Sequence, residues 1–181
     1  MENIDKQELK ELFTELQELI EKNDWDGFFV ELQARGYKHE KVTEIAKILL
    51  FDIGIPVFDY MTTIPPKLFL LDRDPRLSTL VLPKNIRIIE EYAFANSSVK
   101  EVIIEGAYEI DNQAFSTCEN LEKVYIGDNI QTLGFEVFSH NLKLKDVEIA
   151  STQELSYVSS RAFVYTPVYA EMRNILSPYY R

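Results

Sequence analysis

His39 and His140 are the only histidines of the chain and Cys118 its only cysteine, so these three side chains and the carboxylates must carry any metal, nucleophilic or acid–base chemistry. Zinc ligands come in close pairs, and neither histidine nor Cys118 has a partner at such a spacing. A cysteine nucleophile needs a base and an electropositive setting, and no motif around Cys118 supplies them. The one tight acidic cluster, Asp72-Arg73-Asp74-Pro75, has the charge for a cation or a phosphoryl group, but an Asp-rich stretch closed by Pro reads first as a turn. The six glycines are scattered and form neither a phosphate loop nor a nucleophile elbow. The expectation is a non-enzymatic protein with no catalytic residue, no metal site and no cofactor.

Composition points the same way. The 181 residues are 46% hydrophobic and 27% charged, a globular mix with enough apolar content for a core. A net charge of −11 argues against binding nucleic acid directly or an anionic membrane as the main role. One cysteine excludes an intramolecular disulfide framework. The opening MENIDKQELKELF has charges where a secretory leader has an apolar run, and no stretch reaches membrane-spanning length, so a cytoplasmic protein is expected. The acidity is uneven: residues 1–60 hold 7 basic and 14 acidic groups, net −7, leaving −4 for residues 61–181.

The elements that position these residues fall into two kinds. From Asp5 to about Lys22, Leu9, Leu12, Phe13, Leu16, Leu19 and Ile20 recur at three- and four-residue steps and form one helical stripe, with Glu8, Glu11, Glu15 and Glu18 as an acidic stripe beside it. A second helix starts at Asp24, carries Trp25, Phe28, Phe29 and Leu32, and stops at Gly36. A third, about Glu40 to Phe51, presents Val42, Ile45, Ala46 and Leu49 and is stopped by Gly54 and Pro56.

The remainder repeats. IPPKLF (64–69), IEEYAF (89–94), IDNQAF (110–115), LGFEVF (133–138) and VSSRAF (158–163) share an aliphatic start, a short fifth residue or aliphatic one, and a final Phe; the Phe positions lie 25, 21, 23 and 25 residues apart. Ahead of each comes a short alternating run, Ile55/Val57, Leu80/Leu82, Val102/Ile104, Val124/Ile126 and Val147/Ile149, which reads as a half-buried strand. A coil of this kind cannot hide its own apolar face, so the coils must stack, strands in parallel and each Phe over the last. The pattern resembles the BspA-type leucine-rich repeats, best in IDNQAFSTCENLEKVYIG (110–127), over about residues 55 to 170. That resemblance implies a solenoid with a parallel sheet. The family's Cys occurs here only as Cys118, the equivalent places holding Asp72, Ser97, Asn141 and Thr166, so Cys118 is read as core and His140 as a turn residue.

The expected architecture is α+β: an acidic three-helix domain over 1–53, a leucine-rich-repeat solenoid of about five coils over 54–165, and a C-terminal cap over 166–181 begun by Thr166-Pro167 and carrying Tyr169, Met172, Ile175 and Leu176. Pro56 marks the first strand as an edge, which the preceding helices cover. The strands' outward residues form rows. One reads Pro56, Val81, Ile103, Tyr125 and Glu148; a neighbour reads Gly54, Thr79, Glu101, Lys123 and Asp146, with Lys123 between two carboxylates. Solvent gives no reason to align Val81, Ile103 and Tyr125, so either the helices fold back on this row or a protein partner covers it. Five strands about 4.8 Å apart make a strip on the order of 200 Å², short of the ~800 Å² per partner of a standard interface. A protein–protein interaction module using this row, with Glu101, Lys123 and Glu148, and the acidic helices is the leading expectation. The alternative is a small acidic inhibitor, phage-encoded for instance, whose Glu8, Glu11, Glu15 and Glu18 mimic nucleic acid toward a defence nuclease. A homodimer through a sheet edge or helix stays open under both.

Overall fold

The computed structural model describes residues 6–181. The first expected helix is made of α1 (Lys6–Glu15) and α2 (Gln17–Glu21), hinged at Leu16, where the backbone leaves helical geometry while its amide still bonds to Leu12 O. Its expected first residue, Asp5, lies outside the described residues. Asn23, at φ +53°, ends α2 in the left-handed conformation, and Asp24 N bonds back to Leu19 O. α3 (Trp25–Ala34) begins where expected: the Asp24 carboxylate accepts from Gly27 N at 2.9 Å, and Trp25, Phe28, Phe29 and Leu32 are buried. Gly36, at φ +81°, ends it. α4 (His39–Lys47) is shorter than expected and runs into a π-helical turn, Ile48–Ile53, closed by Gly54. Four consecutive apolar residues, Ile48 to Phe51, cannot all face a core from an ordinary turn; in the wider one Leu49 is fully buried and Leu50 and Phe51 pack partly against it.

From Thr63 the chain winds into a parallel solenoid with two sheets. Four-residue strands β2 (Thr79–Leu82), β4 (Glu101–Ile104), β6 (Lys123–Ile126) and β8 (Asp146–Ile149) form one sheet in that order. Two-residue strands β1 (Thr63–Ile64), β3 (Ile88–Ile89), β5 (Glu109–Ile110), β7 (Thr132–Leu133) and β9 (Tyr157–Val158) form the other. The second sheet is the aliphatic first residue of each hexapeptide, so the repeated segment starts as a strand before it turns. The five Phe rings stack face to face, with centroids 5.2, 5.0, 5.5 and 5.2 Å apart and planes within 20°. All five are buried.

The turns are also hydrogen-bonded from coil to coil. Phe69 N donates to Ala93 O, Phe94 N to Ala114 O, Phe115 N to Val137 O and Phe138 N to Ala162 O, at 2.7–2.9 Å. Reaching these partners puts residues two before or two after the Phe at positive φ, among them Lys67, Tyr92, Leu71, Thr117 and Tyr165, none of them glycine. Gly106 is needed for another reason: a Cβ there would lie 2.1 Å from the Lys84 carbonyl oxygen of the preceding coil.

The expected first strand does not form. Pro56 has no amide, Val57 N folds back to Ile55 O, and Val57–Asp59 is a 3-10 turn; the four-residue sheet therefore starts at β2, and Gly54 and Pro56 drop out of the outward rows. Val57 is still buried and fills the core layer a strand would have supplied. The C-terminal helix also starts late. Thr166 turns its hydroxyl back onto Phe163 O at 2.7 Å, so α5 (Tyr169–Leu176) begins beyond Pro167; it buries Met172 and Leu176, while Ile175 is exposed. Tyr180 then bridges Val158, and Arg181 N donates to Val158 O, closing the outer edge of β9.

Phe115 sits mid-ladder between Phe94 and Phe138. Phe115→Ala is expected to cost about 4 kcal/mol, from lost burial plus a cavity that stacked neighbours cannot fill. Phe163→Ala, with one ring neighbour, should cost less; urea unfolding of both variants checks the order.

Candidate protein-binding face

The outward residues of the four-residue strands lie in register: Val81 opposite Ile103, Ile103 opposite Tyr125, Tyr125 opposite Glu148. Alternation puts them on solvent because their neighbours Leu80, Leu82, Val102, Ile104, Val124 and Ile126 point into the core. Val81 is 48% and Ile103 37% exposed, and Tyr125 is half-buried. Of the two coverings open to this row, a fold-back of the helices is therefore not what the chain adopts. With Pro56 outside the sheet, the strip shrinks to about 140 Å².

Charged residues flank the row in two alternating ladders. Thr79, Glu101, Lys123 and Asp146 pair in register, and the Lys123 ammonium lies 3.6 Å from Glu101, its only carboxylate within 4 Å among the described residues. One residue earlier in each coil, Glu122 takes Lys100 at 3.8 Å and Lys145 at 2.9 Å. The Lys145 hydrogen bond holds the Glu122 carboxyl below its ordinary range.

The helices cover the end of the solenoid instead, and do so with three side chains that sequence reasoning missed. In the second coil Arg87 N and Ile88 N donate to Thr62 O; the first coil has no coil before it, and the Asp26 carboxylate accepts from Thr62 N at 3.0 Å, Thr63 N at 3.2 Å and the Thr62 hydroxyl at 2.6 Å. In the turns the orphans are carbonyls. Gln33 Nε2 donates to Pro66 O at 3.2 Å and Thr43 Oγ1 to Leu68 O at 2.5 Å. The only signal was a polar residue on an otherwise apolar helix face, as at Thr43 between Val42 and Ile45.

The acidic helix presents less than its sequence implies. Glu8 turns to Lys41 of α4 at 2.8 Å and Glu15 to Arg35 beyond α3 at 2.5 Å; Glu18 pairs with Lys22 at 2.6 Å, and Glu11 accepts from Gln7 at 2.7 Å.

Asp72-Arg73-Asp74-Pro75 is a turn. Asp72 Oδ1 accepts from Asp74 N at 2.7 Å, Asp74 Oδ1 from Arg76 N at 2.9 Å, and Lys47 lies 3.4 and 3.8 Å from the two carboxylates, tying α4 to the first coil. Among the described residues no group of three His, Cys, Asp or Glu has the geometry for a metal ion. Cys118 is fully buried, donates to Phe94 O at 3.2 Å and lies 3.5 Å from the Ser97 hydroxyl; burial pushes its thiol up, away from the reactive thiolate. Asn141, at the same place one coil on, donates at 2.9 Å to both Phe115 O and Phe138 O. The position three residues after each Phe, held by Asp72, Ser97, Cys118, Asn141 and Thr166, is thus a hydrogen-bonded spine, buried in all but the last coil. His140 is exposed at φ +58°, its ring 4.6 Å from that of Tyr165, and His39 opens α4 beside Glu40.

Two parallel sheets, a ring ladder and a sequence repeat of 21 to 25 residues define a short leucine-rich-repeat solenoid. The family model for the BspA type leucine rich repeat region matches residues 62–173 as six copies, and the chain belongs to that family. The solved structure of the pneumococcal vaccine antigen PcpA aligns at a TM-score of 0.49 and 23% identity, over 55% of this chain and 26% of that one. A leucine rich cell surface protein from Faecalibacterium prausnitzii A2-165 aligns at 0.37 and 19%, over 60% of this chain and 29% of that one. The chain thus corresponds to less than a third of either. No curated protein matches it. Family membership points to a protein–protein interaction module. Among the described residues no helix is long and apolar enough to cross a membrane.

The bond from Arg76 holds the Asp74 carboxyl down at about 2, against an ordinary value near 3.9. A depressed folded-state value adds stability that is complete above pH ~5 and is lost as pH falls toward 2. Asp74→Asn is expected to lower the melting temperature at pH 7 and to flatten its fall between about pH 5 and pH 2, measured by a thermal melt series.

Proposed function

We propose that the chain is a non-enzymatic binding module that takes a protein partner on the outward face of its four-residue sheet, through Val81, Ile103 and Tyr125, with Glu101, Lys123 and Glu148 as the polar rim. One observation carries this reading: an apolar ladder held in strict register faces solvent on a chain whose helices pack elsewhere. The rim charges set orientation and on-rate, whereas the apolar trio supplies the desolvated centre. A strip this small needs neighbouring surface to reach a stable interface.

Ile103→Glu with Tyr125→Lys, which keeps the charges alternating with Glu148 across the sheet, is expected to abolish retention of the partner in affinity purification from the native host, read by mass spectrometry. The melting temperature should stay within about 3 °C of the parent, since both side chains leave the core untouched. Retention of the same proteins by the double variant would remove the face from the reading; a collapsed melting temperature would make the row internal packing.

A further inference from the structure

The solenoid's ends are treated unequally. At the first end Asp26, Gln33 and Thr43 satisfy the unpaired backbone groups of the first coil, and at the last end Tyr180 and Arg181 close β9. The outer edge of β8 has no such cover. Asp146 N and Ala150 N donate inward, to Glu122 O and Ile126 O of the β6 coil. In a parallel strand the backbone groups alternate in direction, so those of Val147 and Ile149 point away from β6. Neither amide has a partner among the described residues. Their side chains differ in the same way: the counterparts in β2, β4 and β6 are buried, but Val147 and Ile149 pack against the core and stay partly exposed.

The charge ladders state what the missing coil should carry. Lys100, Glu122 and Lys145 alternate in sign in one row, and Glu101, Lys123 and Asp146 in the next. β8 therefore ends both rows with an unanswered charge on its outer side: a cation at Lys145, an anion at Asp146. Two β8 edges meeting about a two-fold axis run antiparallel, and centred on Val147 they would set Asp146 against Glu148; β2 would offer only Ser78 and Thr79 to these positions, so neither strand of a second copy fits.

We propose that the free edge of β8 is a β-addition site for an extended protein segment of the pattern Glu-Lys-apolar-any-apolar, running parallel to β8. The acidic residue faces Lys145, the basic one Asp146, and the two apolar residues cover Val147 and Ile149, while the segment's backbone pairs with theirs. The pattern is that of β6 itself, Glu122-Lys123-Val124-Tyr125-Ile126, which stands in register with the inner side of β8 and pairs its Glu122 with Lys145.

A labelled peptide with the sequence of residues 120–127 serves as the probe, titrated against the full chain by fluorescence anisotropy. Saturable binding is expected, weakened about tenfold when the peptide's Glu and Lys are exchanged. Lys145→Glu with Asp146→Lys should invert that preference, and amide exchange at Val147 and Ile149 should slow in the complex. Ile103→Glu with Tyr125→Lys should leave capture intact, so this site and the outward face stand or fall separately. Absent or charge-blind binding overturns the proposal, as does protection that leaves Val147 and Ile149 unchanged. A free chain that sediments as a dimer with both amides already protected also overturns it, since a second copy then fills the edge.

Discussion

Everything in this molecule follows from the fact that a coil of about 23 residues cannot satisfy itself. Its Phe needs a ring above and below, and its turn and strand amides need carbonyls on neighbouring coils. Inside the stack both demands are met by repetition, with rings about 5 Å apart and turn bonds of 2.7–2.9 Å. The 5 Å ring spacing is close to the distance between strands in a sheet, so one translation serves the ladder and the backbone together. That agreement outweighs the left-handed turn residues. Each non-glycine residue at positive φ costs about 1 kcal/mol or more, yet the conformation recurs at the same places because no other turn delivers both partners.

The ends are then a problem of polarity as much as of apolar cover. Where the first coil lacks a predecessor, its strand amides need an acceptor and its turn carbonyls need donors. α3 and α4 bring one carboxylate, one amide and one hydroxyl to those atoms, while Phe28, Phe29 and Leu32 continue the apolar core. The Lys47 group between Asp72 and Asp74 fixes the same joint from the other side. Of these backbone contacts only the Thr43 bond to Leu68 O is buried, and there an unmet carbonyl would cost about 1–3 kcal/mol; the Asp26 and Gln33 bonds are exposed or part-buried and contribute less.

What the sequence makes legible divides along the same line. Repetition is visible because it is written several times: the Phe spacing, the strand alternation, the outward rows and their charges all read directly from the chain. Local signals also read well, as at Asp24, Gly36 and Gly54. Misreadings fall at the ends, where a unit has one neighbour instead of two. Ile55-Pro56-Val57 has a strand's alternation, but with no earlier coil to pair with and no amide at Pro56 it turns instead. Thr166-Pro167 has the residues of a helix start, but the hydroxyl is taken by Phe163 O, as the spine position requires. Asp26, Gln33 and Thr43 stayed hidden because each acts at one place in the chain, on atoms 25 to 37 residues away.

The outward row has its own asymmetry, and it bears on how the two surfaces relate. Val81, Ile103 and Tyr125 give way to Glu148 at the last strand, so the apolar ladder stops one strand before the sheet does. An exposed edge strand with a flat apolar face invites indiscriminate pairing, and a charge on the edge is the common remedy. Asp146 and Glu148 supply it here, on a strand whose inward residues are already half uncovered. The same charges that repel a second β8 select among other strands, because only a segment with a cation opposite Asp146 and an anion opposite Lys145 continues the ladders rather than breaking them. A face for surface docking and an edge for strand addition thus meet at β8, and the charge that ends the first is what gives the second its specificity.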